Sequence, residues 1–355
     1  MKKAITIIIY VQLLLTYVFA VDKTGTTAAK FLHINVGSKA VGMGGAFTSI
    51  ANDATAMYWN PAGLSFYKTS EIYFNHSNWI ADISFDYFAL SLPLRNNHFL
   101  GLNITSVSMD DMEVTRYGNE NTGETFSAAN YAFGITYALN LTDRFSVGFN
   151  GKYIQEIIAN NRASGIALDI GTLFSTPYGF KLGTSISNFG PKMNMSGDDL
   201  LVPVDINETI DGNNESVTGY LSTDNFDLPL VLRVGISDDI LLSPVGRITW
   251  AFDVNSPNDN KMYLNAGIEC GLFQEMFVLR VGANSLFIDD REKNLSFGCG
   301  INMPDIFNKA MHINYSVETL SHLGALHQFS IHIAYLKINL LVITSVFIKM
   351  TGYFF

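Results

Sequence analysis

Alternation of apolar and polar side chains dominates the chain from Ser70 onward. Leu230, Leu232, Val234 and Ile236 are aliphatic at every second position, with Arg233 and Gly235 between them. The same pattern runs through Ile248, Trp250, Phe252 and Val254 against Thr249 and Asp253, and through Leu264, Ala266 and Ile268 against Asn265 and Glu269. It returns in Phe277, Leu279 and Val281 against Arg280 and Gly282, and in Tyr131, Phe133, Ile135 and Tyr137 against Asn130, Gly134 and Thr136. Successive side chains of a strand point to opposite faces, so each segment reads as a strand with one apolar and one polar face.

Alternation alone fits a soluble sandwich as well as a barrel, and connector lengths separate the two. The expected strands run 71–80, 83–93, 97–108, 128–139, 144–157, 164–175, 179–189, 228–238, 246–254, 261–270, 275–284, 293–303, 309–318 and 325–335. That makes about fourteen, an even number as in bacterial outer-membrane barrels. Tight connectors such as Asn140 to Asp143, Thr176 to Tyr178 and Gly271 to Gln274 alternate with long ones, notably Met109 to Ser127 and Gly190 to Asp227. Long loops at one end and tight turns at the other are the outer-membrane pattern. The connector at Ala81-Asp82 is short for the long-loop end. The fold class expected is therefore all-β, a transmembrane antiparallel barrel.

One stretch breaks the alternation. Gly37 to Leu64 is small and glycine-rich, and it carries Phe47, Met57, Tyr58 and Trp59, which a surface linker would not need. Glycines this dense suit backbone that packs against other backbone or turns through positive φ. Gly42-Met43-Gly44-Gly45 lacks the Lys-Ser/Thr of a phosphate-binding loop. The run GSKAVGMGGAFTSIANDATAMYWNPAGL resembles the N-terminal segment of the PorV/PorQ family, a branch of the FadL-like outer-membrane barrels. Ser187-Asn188-Phe189-Gly190-Pro191-Lys192, Gly267-Ile268-Glu269, Leu279-Arg280-Val281-Gly282 and His327-Gln328-Phe329-Ser330 extend the likeness from about Ala28 to about Ile333. The resemblance implies a fourteen-stranded barrel with an N-terminal plug in its lumen. Gly42, Gly44, Gly45, Asn60, Pro61, Ala62 and Gly63 would form the plug motif.

The ends of the chain add an address. Met1-Lys2-Lys3 precedes an apolar run from Ala4 to Leu15, and Val18-Phe19-Ala20 places small residues at a signal peptidase site. The organisation expected is a signal peptide over 1–20, a plug segment over 21–69, the barrel over 70–335 and a tail over 336–355 of unassigned role. The apolar run Leu340 to Ile348 is too short to span as a helix.

Composition narrows the function classes. The chain is 355 residues long and 48% hydrophobic, yet beyond the leader it has no charge-free run of spanning length. Only helices and closed barrels satisfy the backbone in lipid, so a membrane protein of this sequence is a barrel. The net charge of −10 argues against a nucleic-acid partner. Cys270 and Cys299 form no disulfide or zinc pattern and fall on the outward face. There is no G-x-S-x-G elbow or H-E-x-x-H, and the histidines are scattered, so neither an enzyme nor a cofactor or metal site is expected.

The polar face holds the candidate site. Lys152, Asp169, Arg233, Arg247, Asp253, Glu269 and Arg280 all project into the lumen by alternation. Unpaired charges there are costly, so they are expected to pair with one another or with the plug backbone. The long loops concentrate carboxylates without the spacing of a calcium loop. Leu200, Leu201, Val202, Pro203 and Val204 interrupt the second loop with an apolar patch, a candidate contact surface for a partner.

Two function classes follow from the resemblance, both in outer-membrane lipid. PorV and PorQ imply a non-enzymatic role in type IX protein secretion, with secretion-system proteins or secreted cargo as partners. FadL-like proteins imply uptake of long-chain fatty acids or other hydrophobic small molecules, which needs an apolar pocket, with Phe88, Leu90, Phe99, Met276 and Val278 as candidates.

Overall fold

A computed structural model describes residues 25–66, 69–94, 97–119, 122–205, 217–242, 246–288, 291–303 and 309–335. The expected signal peptide, the expected tail and the acidic positions Glu120, Glu208, Asp211 and Glu215 lie outside the described residues.

Fourteen antiparallel strands close on themselves. They are β1 Ser70–Asn78, β2 Ser84–Pro93, β3 His98–Ser108, β4 Ala128–Thr142, β5 Phe145–Ile158, β6 Asn161–Ser175 and β7 Lys181–Phe189. The circuit continues with β8 Val231–Leu242, β9 Gly246–Pro257, β10 Tyr263–Leu272, β11 Phe277–Leu286, β12 Lys293–Met303, β13 Lys309–Leu320 and β14 Gly324–Tyr335. Each strand pairs with its neighbours in sequence, β7 pairs with β8 across the long loop, and β14 returns to β1 with Ser70 opposite Tyr335 and Asn78 opposite His327. Full closure leaves no strand edge in the barrel wall, as spanning a bilayer requires. Among the described residues no helix is long and apolar enough to cross a membrane.

The period-two pattern maps onto two environments. Phe133, Ile135, Val234, Phe252, Ile268, Leu279, Val281 and Phe297 are exposed on the outer surface, where lipid replaces water. Thr136, Asn150, Asp169, Ser185, Arg233, Asp253, Glu269, Arg280 and Ser330 are buried on the inner face. Cys299 is exposed and Cys270 half-buried on the outward side, where thiols behave as small hydrophobes.

The connectors sort by end. The chain between β3 and β4 and between β7 and β8 lies at one end, and tight turns such as Phe273 to Met276 close the other. The first connector is a single 3-10 turn, Ile80–Asp82, with Ala81 and Asp82 at positive φ and Trp79 N–H donating to the Ile83 carbonyl at 2.7 Å. It sits at the long-loop end despite its length. The longest loop is itself ordered along its described part. Met195–Gly197 adds to β6, and Met193 and Phe226 exchange backbone hydrogen bonds.

Two apolar positions expected inside are outside. Phe88 and Leu90 of β2 face outward, while Phe85, Tyr87 and Ala89 are buried inward. Both faces of β2 carry large apolar side chains, so alternation cannot orient it. Met276 is 46% exposed in the turn before β11, whereas Phe99 and Val278 are buried as expected.

Candidate functional site: the luminal segment and the outer mouth

Residues 29–66 are almost wholly buried against the inward faces of the strands. Two short helices, α1 Ser38–Gly42 and α2 Ala56–Trp59, and a 3-10 turn over Pro61–Phe66 carry the backbone. Helix α1 packs on β11 to β14, and the 3-10 turn packs on β3 to β6, the opposite wall. The segment starts at the long-loop end, where Ala28 N–H donates to the Asp227 carbonyl at 3.0 Å. It ends at the tight-turn end, where the Asn140 amide donates to the Ser65 carbonyl at 3.1 Å.

Small residues let this backbone touch the wall. Gly44 has φ of 68°, and a Cβ there would stand 2.7 Å from the Ala283 nitrogen. Across from it, a Cβ on Gly282 would come within 2.0 Å of the Gly44 nitrogen, so neither position tolerates a side chain without displacing main chain. Gly42, Gly45 and Gly63 are buried in the same segment. Beneath Asn60 and Pro61 the wall is also bare: a Cβ on Gly148 would lie 2.3 Å from the Pro61 carbonyl carbon, and one on Gly171 would lie 2.1 Å from Asn60 Oδ1.

Asn60 ties the motif together. Its amide nitrogen donates to the Thr48 carbonyl at 2.9 Å within the segment and to the Thr172 carbonyl of β6 at 3.0 Å. Its Oδ1 accepts from the Ala62 N–H at 3.2 Å. Pro61 starts the 3-10 turn, where its missing N–H costs nothing. Phe47 and Trp59 meet edge to face, 6.2 Å between centroids, and Trp59 Nε1 donates to the Val36 carbonyl at 2.9 Å.

The luminal charges divide into four arrangements. Asp253 holds the segment directly, its Oδ2 accepting the N–H groups of Phe47 at 2.8 Å and Thr48 at 2.7 Å. Asp169 accepts from Lys152 at 2.9 Å and from the Asn150 amide at 3.0 Å, and Asn150 also donates to the Met57 carbonyl at 3.2 Å. Arg247, Glu269 and Arg280 bind one another: Glu269 takes Arg247 Nη2 and Arg280 Nε, each at 2.7 Å. Arg247 also reaches Glu275 at 2.7 Å and Asp239 at 3.2 Å. Arg233 differs from the other cations. It donates to Ser187 Oγ at 2.8 Å and lies over the rings of Tyr58 and Trp59, at 5.6 and 5.5 Å from their centroids.

Contacts that charge alternation did not single out complete the packing. Gln328 donates to the Asn35 carbonyl at 2.8 Å, and Ser185 donates to the Trp59 carbonyl at 2.9 Å. Their signal in the sequence is only that a polar residue recurs on the inward face.

A cavity of about 440 Å³ remains at the long-loop end, between the segment and β8 to β12. Its lining is polar and charged. Lys30 pairs with Asp259, which also accepts from Thr27 at 2.8 Å. Burial works to raise the pKa of Asp259, but the hydrogen bonds from Lys30 and Thr27 outweigh it and hold the carboxyl below its usual range. His33, beside them, is pushed down to about 3 by burial and then by the charges of Lys30 and Arg233, so it is neutral at pH 7. At the same end the long loop forms the hairpin Leu201–Val204 with Val217–Tyr220, pairing Leu201 with Tyr220 and Val204 with Val217. Leu200 lies in the turn before it and Val202 is half-buried within it. No group of three or more His, Cys, Asp or Glu among the described residues is placed to hold a metal ion.

Comparison with known proteins agrees with this architecture. The toluene transporter TbuX of Ralstonia pickettii superposes with a TM-score of 0.53 at 12% identity, covering 85% of this chain and 97% of that one. The monoaromatic hydrocarbon channel CymD gives 0.54 at 12% identity, with 85% and 97% covered. The toluene transporter TodX of Pseudomonas putida gives 0.51 at 11% identity, with 90% and 99% covered. Likeness at such identity is one of fold. No curated protein matches the sequence. Residues 20–207 match the family described as type IX secretion system protein PorV. That span covers more than half of the 355 residues, from the luminal segment through β7 into the hairpin loop, and the chain belongs to the PorV family.

Proposed function

We propose that this outer-membrane barrel is a non-enzymatic component of type IX protein secretion. In this reading it works at its outer mouth, where it receives secretion-system proteins or secreted cargo, while the luminal segment keeps the barrel plugged. The observation that carries this reading is the hairpin of the long loop. Leu201, Val204, Val217 and Tyr220 are 47%, 41%, 40% and 52% exposed on a two-stranded sheet that pairs with no further strand among the described residues. Exposed apolar groups on a small outlying sheet favour contact with another chain. The hairpin is held by Met195–Gly197 on β6, so such a contact would be transmitted to a rigid wall.

Uptake of hydrophobic small molecules, the activity named for the fold neighbours, is less well supported. The lumen is filled by hydrogen-bonded backbone, and the cavity at its mouth is lined by charge rather than by an apolar pocket.

The test is a Leu201→Asp, Val217→Asp double variant in the native host. It is expected to assemble in the outer membrane while losing both co-purifying secretion-system protein and surface display of type IX cargo. Oleate and toluene uptake should stay unchanged in the same cells. Normal secretion by the variant, together with lost uptake in a deletion strain, would reverse the assignment.

A further inference from the structure

The cavity at the outer mouth contains a cation that has no counter-charge among the described residues. Arg233 is buried, and among the described residues no carboxylate comes within ion-pair distance of its guanidinium. Every other cation singled out on the luminal face is paired: Lys152 with Asp169, Arg247 with three carboxylates, and Arg280 with Glu269. A buried charge without a partner is costly, and the aromatic faces of Tyr58 and Trp59 offset part of that cost. They also hold the guanidinium plane in place, and its hydrogen bond to Ser187 leaves donors free among the described residues.

Two further buried groups line the same cavity with open valences. Asn284 is 1% exposed, and its amide nitrogen has no partner among the described residues. Asp259 is equally buried, and its Oδ1 accepts nothing from the described residues while its Oδ2 is taken by Lys30 and Thr27. The rim supplies Lys261, Arg291 and Lys293. Lys293 faces Glu318 at 3.4 Å, and Glu292, the other acidic residue of the lining, is engaged by His322 at 3.0 Å. The described lining thus carries five Lys or Arg against two carboxylates, in a chain whose net charge is −10.

We infer that this cavity is a binding site for a small hydrophilic oxyanion, of the class of sugar acids and sugar phosphates. Arg233 receives the carboxylate or phosphate, in the fork geometry that suits either group. The Asn284 amide donates to a second oxygen of the ligand, and Asp259 Oδ1 accepts from a hydroxyl. A volume of about 440 Å³ is within the range of small-molecule sites. The cavity lies at the long-loop end, so the ligand enters from outside and stops above the luminal segment. This inference does not depend on the secretion reading, since it concerns the mouth of the barrel and not the hairpin.

The experiment is isothermal titration of the full chain, folded in detergent micelles at low ionic strength, with glucose 6-phosphate, glucuronate and glucose. Both anions are expected to bind, glucose at least about tenfold more weakly, because it forgoes the charged hydrogen bonds to Arg233. The relative affinity of the two anions reports whether phosphate or carboxylate is the better fit. Arg233→Gln should weaken both anions at least about tenfold, Asn284→Leu several-fold, and Lys261→Gln at the rim less than either. Failure of both anions to bind, equal binding of glucose, or unchanged binding in Arg233→Gln would overturn the site. Should Arg233→Gln not fold, as judged by its heat-modifiable migration on gels, unchanged binding in both Asn284→Leu and Lys261→Gln would overturn it equally.

Discussion

The two ends of the lumen use the same kinds of residue to different effect. At the tight-turn end, charge is consumed within the protein: Glu269 lies between Arg247 and Arg280, and Asn60 closes hydrogen bonds to both the segment and the wall. At the long-loop end, the wall and segment stand apart around a cavity, and Arg233 meets aromatic faces instead of a carboxylate. What distinguishes a sealed end from a receptive one is whether each buried polar group already has its partner. Backbone contact at glycine makes that possible below, and bulky Trp59 and Tyr263 around the mouth prevent it above.

The comparison can be broken most forcefully at Glu269. Glu269→Gln leaves two guanidinium groups facing each other at a buried site, and a loss of about 3–5 kcal/mol is expected in the urea unfolding of the refolded barrel. A loss under about 1 kcal/mol would mean that Glu275 and Asp239 suffice for Arg247 and that the sealed end is redundant. A smaller effect on stability, with a larger one on permeation, is expected from Asn60→Ala combined with Pro61→Gly. Removing the hydrogen bonds of Asn60 costs about 1–3 kcal/mol and loosens the segment where the wall is bare, so conductance in planar bilayers should rise. Unchanged conductance in a folded variant would count against a sealing role. The smallest change belongs to the open end. Lys261 is exposed and its ammonium makes no ion pair among the described residues, so Lys261→Gln should cost less than about 1 kcal/mol and leave conductance as it was.

Some of this was legible without coordinates. Strand number, strand faces and the sorting of connectors follow from alternation and spacing, because each strand meets lipid on one side and polar groups on the other. The seven charges named from alternation all lie on the inner face or its rim. Their partners were not legible, since Asp253 meets Phe47 and Thr48 only through a segment some two hundred residues earlier in the chain. Strand β2 defeated the pattern for a related reason. Phe85 and Tyr87 are apolar although they face inward, because the luminal segment presents Phe31, Leu32, Ala54 and Met57 to that wall.

The sequence by itself determined that this chain is an antiparallel barrel of about fourteen strands, with a glycine-rich segment set apart from the strands. Periodicity and loop length are local properties, and a bilayer admits few solutions to them. Tertiary structure alone decided which charges cancel and which remain available. Closure of the barrel brings β8, β9, β11 and the luminal segment around one space, and only there do Arg233 and Asn284 turn out to share a cavity without sharing a partner.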